Sequence, residues 1–203
     1  QDLLQPGVDL KHGEISGISA VDQTVEVDGE SLSYDHLVIA LGADLFPDAV
    51  VGLKESAHTF YSFEGAKKLR QALESFREGT VAVVVSAMPY KCPGAPYEGA
   101  MLIADYFRRL GLKDKVKVCF YTPEPQPMPV AGPELGKAVT EMLVSNGIAC
   151  HPLHQLTSVD AQNGKLTFEG KEHVAYDLLV AIPPHKSPAV VKEAGLTNDA
   201  GWI

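Results

Sequence analysis

Cysteine is scarce in this chain. Only Cys92, Cys119 and Cys150 occur in 203 residues. They form an odd set without zinc-type spacing, so no disulfide framework is implied and a reducing compartment is the default. Basic residues are also few, 17 Lys and Arg against 26 Asp and Glu, a net charge of −9. Nucleic acid demands clustered Lys and Arg, and that partner is excluded. No apolar run approaches the roughly 18 residues of a membrane span, and Gln1-Asp2-Leu3-Leu4 does not read as a signal peptide. No Gly-x-Gly-x-x-Gly occurs anywhere.

What remains is a soluble globular composition, 45% hydrophobic, long enough for one domain or one and a half. The chain reads as an excised piece. It starts on a strand-like segment with no cap, and Gly201-Trp202-Ile203 reads as the opening of an apolar strand.

Two stretches resemble one another. Ile18–Asp22 leads through Thr24–Val27 and the turn Asp28-Gly29 to Tyr34-Asp-His-Leu-Val-Ile-Ala-Leu-Gly42. Leu156–Asp160 leads through Asn163-Gly164, Leu166–Phe168 and Gly170 to Tyr176-Asp-Leu-Leu-Val-Ala-Ile-Pro183. In each, an Asp-Gly or Asn-Gly hairpin signal precedes a buried-type strand. Chance similarity of two β-meanders is one reading; two related nucleotide-type domains, each with a meander and a returning strand, is the stronger.

Between them runs an α/β pattern. Ser62 caps a helix with the apolar stripe Ala66, Leu69, Leu73 and Phe76, ended by Gly79. A strand at 81–85, a loop, a helix at 97–110 ended by Gly111, and a strand at 116–121 make a βαβ unit. A proline-rich loop, 123–133, opens a helix with Leu135, Val139, Met142 and Leu143 inward, and a third strand follows at 148–153. The alternation predicts an α/β fold, a Rossmann-like three-layer parallel sheet with β-meanders, covered on both faces.

The loop after strand 81–85 stands where a dinucleotide-binding domain carries its phosphate cradle. Such a cradle needs free backbone N–H groups and close-approach glycines. Pro89, Pro93 and Pro96 have no N–H to give, Tyr90 and Lys91 add bulk, and the spacing of Gly94 and Gly99 is wrong. NAD binding is therefore not expected. Glu124, where an acid often grips a ribose, then reads as a solvated loop residue.

Cys92 sits just before a helix N-terminus and beside Lys91, a position that favours a thiolate. An inert buried thiol is the alternative; the Pro-Tyr-Lys-Cys-Pro-Gly-Ala-Pro-Tyr-Glu context favours a functional one. Glu98, in the first helical turn, is a candidate proton acceptor or donor, or else a helix-dipole partner. Cys119 belongs to a core strand. Cys150, His151 and His154 alternate across a strand, so no metal site is expected. His185 follows the strand end at Pro183-Pro184 and receives no role.

At these residues the sequence resembles the sulfide:quinone oxidoreductases and the flavoprotein subunit of flavocytochrome c sulfide dehydrogenase. The matching pieces are Tyr34–Ala43, Tyr90-Lys-Cys-Pro-Gly-Ala-Pro-Tyr-Glu98, Ala181-Ile-Pro-Pro184 and Gly195–Trp202. The resemblance implies an FAD enzyme with two dinucleotide-binding-like domains of the glutathione-reductase type. Cys92 would be one of two redox cysteines beside the flavin, and Glu98 the acid after the cysteine loop. Pro183 and Pro184 would lie near the isoalloxazine ring, and Leu41, Gly42 and Ala43 on the strand returning to the FAD domain. Pro89, Tyr90 and Lys91 would join them as cofactor-binding positions. Electrons from sulfide would pass through FAD to a quinone or a c-type cytochrome.

Departures bear on the acceptor. The FAD fingerprint, the downstream Gly-Asp strand and a second redox cysteine are absent from the 203 residues. Ile203 stands where cytochrome-linked members carry that cysteine, which tilts the reading toward a quinone. A cysteine that some quinone-linked members carry near 57–63 is absent too. The domain reading is 1–57, a partial FAD-domain meander; 58–182, an NAD-binding-like domain with the cysteine loop; and 183–203, a return segment. The resemblance places the protein in the cytoplasm or on the inner membrane surface, docked through a C-terminal region beyond these residues. The alternatives are a flavocytochrome c-type dehydrogenase, an NADH:quinone oxidoreductase relative, and a non-catalytic module that kept only the fold; the oligomeric state is open.

Overall fold

The computed structural model describes residues 5–203; the strand-like start read at residues 1–4 lies outside the described residues. The chain divides into two compact units, residues 45–185 and residues 1–44 together with 186–203.

The larger unit is built on a four-stranded parallel sheet. Its spatial order is Leu178–Ile182, Gly79–Val85, Val116–Tyr121, Ala149–His151. All three strand pairs run parallel, with Val83 opposite Val180 on one side and Phe120 on the other. A run such as Val81–Val85 suits this place because both of its faces are covered. Val81, Val83 and Val85 turn to one core with Val118, Phe120 and Ile182; Ala82 and Val84 turn to a second with Cys119, Tyr121 and Ala181. Each fully buried valine contributes about 1.5–3 kcal/mol over its exposed state.

Three helices cover the first face. They are α2, Phe63–Ser75; α3, Ala95–Arg109; and α4, Pro133–Ser145. Leu69, Tyr97, Ala100, Ile103, Phe107, Val139 and Leu143 supply their buried positions. Ser62 caps α2 as predicted, accepting from the N–H of Gly65 at 3.1 Å. Two details differ from the sequence reading. Helix α2 ends at Ser75, and Gly79 instead opens the next strand with φ at +114°, where a Cβ would also meet the carboxylate of Asp177. On α4 the apolar stripe is narrower, since Leu135 and Met142 are about half exposed.

The second face is covered by an antiparallel meander, Leu156–Asp160, Lys165–Phe168 and Val174–Ala175. Val50 and Leu53, the latter opening the short helix α1 (Leu53–Ser56), pack there against Leu156, Val159, Leu166 and Phe168. Residues 45–57 thereby pack as part of the larger unit, which runs to residue 185.

The smaller unit carries its own antiparallel meander, Ile15–Ser19, Thr24–Val27 and Glu30–Ser33, and the helix α5, Ala189–Glu193. Both meanders begin with an irregular register, between Ile15 and Gly17 and between Leu156 and Ser158. The hairpin signals fall on different corners. Asp28-Gly29, both at positive φ, joins the second and third strands of the first meander, whereas Asn163-Gly164 joins the first and second strands of the other. The returning strand expected after Tyr34 does not form: residues 34–43 are irregular and Val38 is 89% exposed. A strand exists only by pairing, and this run finds no ladder partner among the described residues.

Candidate functional site

In an open α/β sheet the binding crevice lies beyond the carboxyl ends of the strands, where the strand order reverses. Here that point falls between Gly79–Val85 and Leu178–Ile182. The N–H of Ser86 still donates to the carbonyl of Ile182, at 3.0 Å, and then the two chains part. One enters the cysteine loop and the other the segment Pro183-Pro184-His185.

The loop departs through a cis bond between Met88 and Pro89. Cys92 is exposed and its φ is +58°, the left-handed region that a non-glycine residue adopts at a cost of about 1–2 kcal/mol. The carbonyl of Cys92 holds that conformation, accepting from the N–H of Ala95 at 3.0 Å and from the hydroxyl of Tyr61 at 3.3 Å. Helix α3 starts at once, two residues earlier than the sequence predicts, with Pro96 in its first turn and Gly94 as a cap that offers no side chain.

Tyr61 is the residue that sequence reasoning missed. Its ring meets that of His185 edge-on, with centroids 5.5 Å apart, while its hydroxyl reaches the loop. Burial and the neighbouring Tyr90 and Cys92 push its phenol above the ordinary range, so the O–H is kept as a donor. The only pointer in the sequence was indirect: the 57–63 segment drew notice for a cysteine it lacks. His185 Nδ1 lies 2.9 Å from the carbonyl of Pro183. Burial, with Lys91 nearby, holds this imidazole below its ordinary range. His185 Nε2 and Ser86 Oγ are buried and find no hydrogen-bond partner among the described residues.

The structure thus brings Cys92 and Pro183 to one aromatic ring, that of Tyr61, each through a hydrogen-bonded contact or its neighbour. Pro183 and Pro184 are buried, and the Pro184 carbonyl accepts from Phe46 N–H at 2.7 Å. Pro89 and Lys91 lie exposed on the loop; Tyr90 turns inward. Glu98 is exposed on the first turn of α3, at an apolar groove of about 620 Å³ between α2 and α3 that Phe60, Leu69 and Ile103 also line. A side chain at Gly99 would strike the ring of Phe60, so this contact requires glycine. Leu41 and Gly42 belong to the smaller unit, where they line a cavity of about 200 Å³ with Pro188, Val191 and Trp202; Ala43 adjoins them in sequence.

Glu124 corrects the sequence reading most sharply. It is 4% exposed, not solvated. Its carboxylate accepts from the Tyr90 hydroxyl at 3.2 Å to each oxygen, from Thr122 Oγ1 at 2.7 Å, and from the Tyr97 hydroxyl in a short contact. Burial and these carboxylate contacts push the phenols of Tyr90 and Tyr97 far above their ordinary range. A carboxylate can enter the interior only with its lone pairs satisfied, and three hydroxyls do that here. Strand alternation fails once more past His151: Leu153, with φ at +54°, turns the chain back and brings His154 to 5.6 Å from His151, both against Tyr121. Cys119 lies in the core as read, 2% exposed.

Comparison with known proteins places this architecture. The chain is 30% identical over 182 residues to the mitochondrial sulfide:quinone oxidoreductase of Dictyostelium discoideum, covering 85% of the chain and 40% of that protein. It is 28% identical to the demethylphylloquinone reductase NdbB of Synechocystis sp., covering 99% of the chain and 50% of the relative. The solved sulfide:quinone oxidoreductase of Aquifex aeolicus superposes with a TM-score of 0.80 at 24% identity, over 94% of this chain and 46% of that one, and shares its fold. The chain thus spans half, or less, of the length of these proteins. The model of the pyridine nucleotide-disulphide oxidoreductases matches residues 3–203, and the chain belongs to that family.

Proposed function

We propose that the protein oxidises sulfide through Cys92 and passes the electrons by way of FAD to a quinone. One observation carries this reading. At the switch point of the sheet, where a nucleotide-binding relative needs open backbone N–H groups, the chain presents an exposed cysteine in a left-handed conformation among prolines. A thiol held there can capture the sulfur of sulfide, whose oxidation to zero-valent sulfur releases two electrons and a proton.

Bound in the crevice, a flavin supplies the two-electron acceptor that the side chains lack. The residues fit such a group, since Ser86 Oγ and His185 Nε2 are buried there with hydrogen-bonding capacity unused. Pro183 and Pro184, buried and directly before His185, are the candidate apolar contacts. Glu98 remains the candidate proton acceptor. Leu41, Gly42 and Ala43 are the candidate cofactor contacts of the smaller unit. No helix among the described residues is long and apolar enough to cross a membrane, and a quinone would be met at a membrane surface.

The competing reading is an NADH-dependent quinone reductase. It requires the acid at the end of the second strand to receive ribose hydroxyls, but Glu124 is already engaged by Tyr90, Tyr97 and Thr122. Anaerobic titration of the full-length protein separates the two. Sulfide is expected to bleach the flavin absorbance and NADH to leave it unchanged. Cys92→Ser is expected to slow the sulfide reaction at least about a hundredfold. Retention of the wild-type rate by that variant would overturn the reading.

A further inference from the structure

We propose that Glu124 is a positioning residue, a buried carboxylate clamp that fixes the Cys92 loop through Tyr90. The inference rests on reading Cys92 as the reacting thiol.

The argument starts with what the loop lacks. Proline at 89 and 93 removes two backbone donors from the stretch between strand and helix, and Pro96 removes a third from the first turn of α3. Cys92 must nevertheless be held in a conformation that its own side chain disfavours. Tyr90, two residues before the sulfur, supplies the inward tie. Its hydroxyl donates to both Glu124 oxygens at 3.2 Å and lies 3.5 Å from the hydroxyl of Tyr97.

Glu124 is itself tied from several sides. Its N–H donates to Thr122 Oγ1 at 3.2 Å, and its carbonyl accepts from Leu153 N–H at 3.0 Å. Tyr97, 1% exposed on α3, donates to the carboxylate and accepts from Met128 N–H at 3.3 Å. One carboxylate therefore joins the cysteine loop, the first turn of α3, the end of strand Val116–Tyr121 and the proline-rich loop after it. In a dinucleotide-binding relative the acid at this place would face a ligand. Here the acceptor oxygens of Glu124 are taken by phenols of the chain itself, and the acid anchors the thiol loop instead.

The test uses the full-length protein with flavin bound. Tyr90→Phe deletes the tie between loop and carboxylate, together with the long contact to the Tyr97 hydroxyl, and leaves Tyr97 and Thr122 on Glu124. Glu124→Gln keeps the volume but turns an acceptor oxygen into a donor that cannot receive the phenols. Hydrogen exchange of the amides at 90–95 is expected to rise about tenfold or more in Tyr90→Phe, with the strands at 79–85 and 116–121 unchanged. The kcat for sulfide should fall about ten- to a hundredfold with KM little altered, as expected for a misplaced reacting group. Leu166→Ala, a core change on the opposite face of the sheet, controls for loss of stability alone and should move neither. Unchanged loop exchange in folded Tyr90→Phe would overturn the clamp, even if Glu124→Gln fails to fold. The sulfide reading fails separately, through Cys92→Ser.

Discussion

Three imidazoles carry a cost of burial that can be read in solution. His58, His151 and His185 are all held below their ordinary range, chiefly because partial burial penalises the charged form. A proton therefore binds the unfolded chain more readily than the folded one. The neutral forms leave stability intact above the ordinary imidazole value of about 6.5, and it is lost as pH falls below that point toward the lowered folded values. Melting temperature is expected to be flat from about pH 8 to 7 and to drop below about pH 6.5. The triple variant His58→Gln, His151→Gln, His185→Gln should flatten the acid limb, and an unchanged limb would assign the loss to other groups. His185 has a second interest, because its Nε2 is both buried and unused. In the sequence only its place after the strand end at Pro183-Pro184 sets it apart from the other histidines. Its status is set by Tyr61 and the Pro183 carbonyl, which are 124 positions away and two positions away.

At the scale of the element, α2 does more than cover the sheet. Its cap, Ser62, directly follows Tyr61, so the geometry of the helix start also aims the ring that meets His185 and the hydroxyl that meets Cys92. Ser62→Ala is expected to cost about 1 kcal/mol, the usual value of an N-cap hydroxyl, measured by urea unfolding. Elements of this kind were legible from local chemistry. The cap hydroxyl at Ser62, the unbroken valine run at 81–85 and the Ala66, Leu69 and Leu73 stripe of α2 each specify their state within a few residues. The site was legible only in part. The prolines that strip donors from the loop and the exposed place of Cys92 among them could be read locally. The burial of Glu124 depends on Tyr90 and Tyr97, which lie 34 and 27 residues away, and an acid flanked by Pro123 and Pro125 looks like any solvated loop residue. Likewise the left-handed turn at Leu153 has no glycine to announce it.

The same distinction holds for the whole molecule. The two meanders repeat one pattern, yet the apolar runs that follow them meet different fates. Leu178–Ile182 is buried throughout because Val81–Val85 pairs with it residue for residue. Leu37–Leu41 has an equally apolar composition and no such neighbour among the described residues, so Leu37, Val38 and Leu41 stand 37%, 89% and 38% exposed. A run of this kind, apolar, uncharged and free of proline, is what β-type association selects. Its consequence is a property of the chain as a particle rather than of any site. The 203-residue chain is expected to self-associate at high micromolar concentration despite its net charge of −9, which acts over the whole surface and not at the patch. Val38→Lys places a charge at the centre of the run, at a position whose side chain touches little. It should raise the monomer fraction seen by light scattering and leave the melting temperature within about 1–2 °C, since exposed substitutions change stability by only a few tenths of a kcal/mol. A polypeptide of residues 45–185, which has both sheet faces covered and lacks the run, should stay monomeric under the same conditions. If the 45–185 polypeptide associates as strongly as the whole chain, the exposed strand-like run is not the cause, and the apolar groove between α2 and α3 becomes the surface to mutate next.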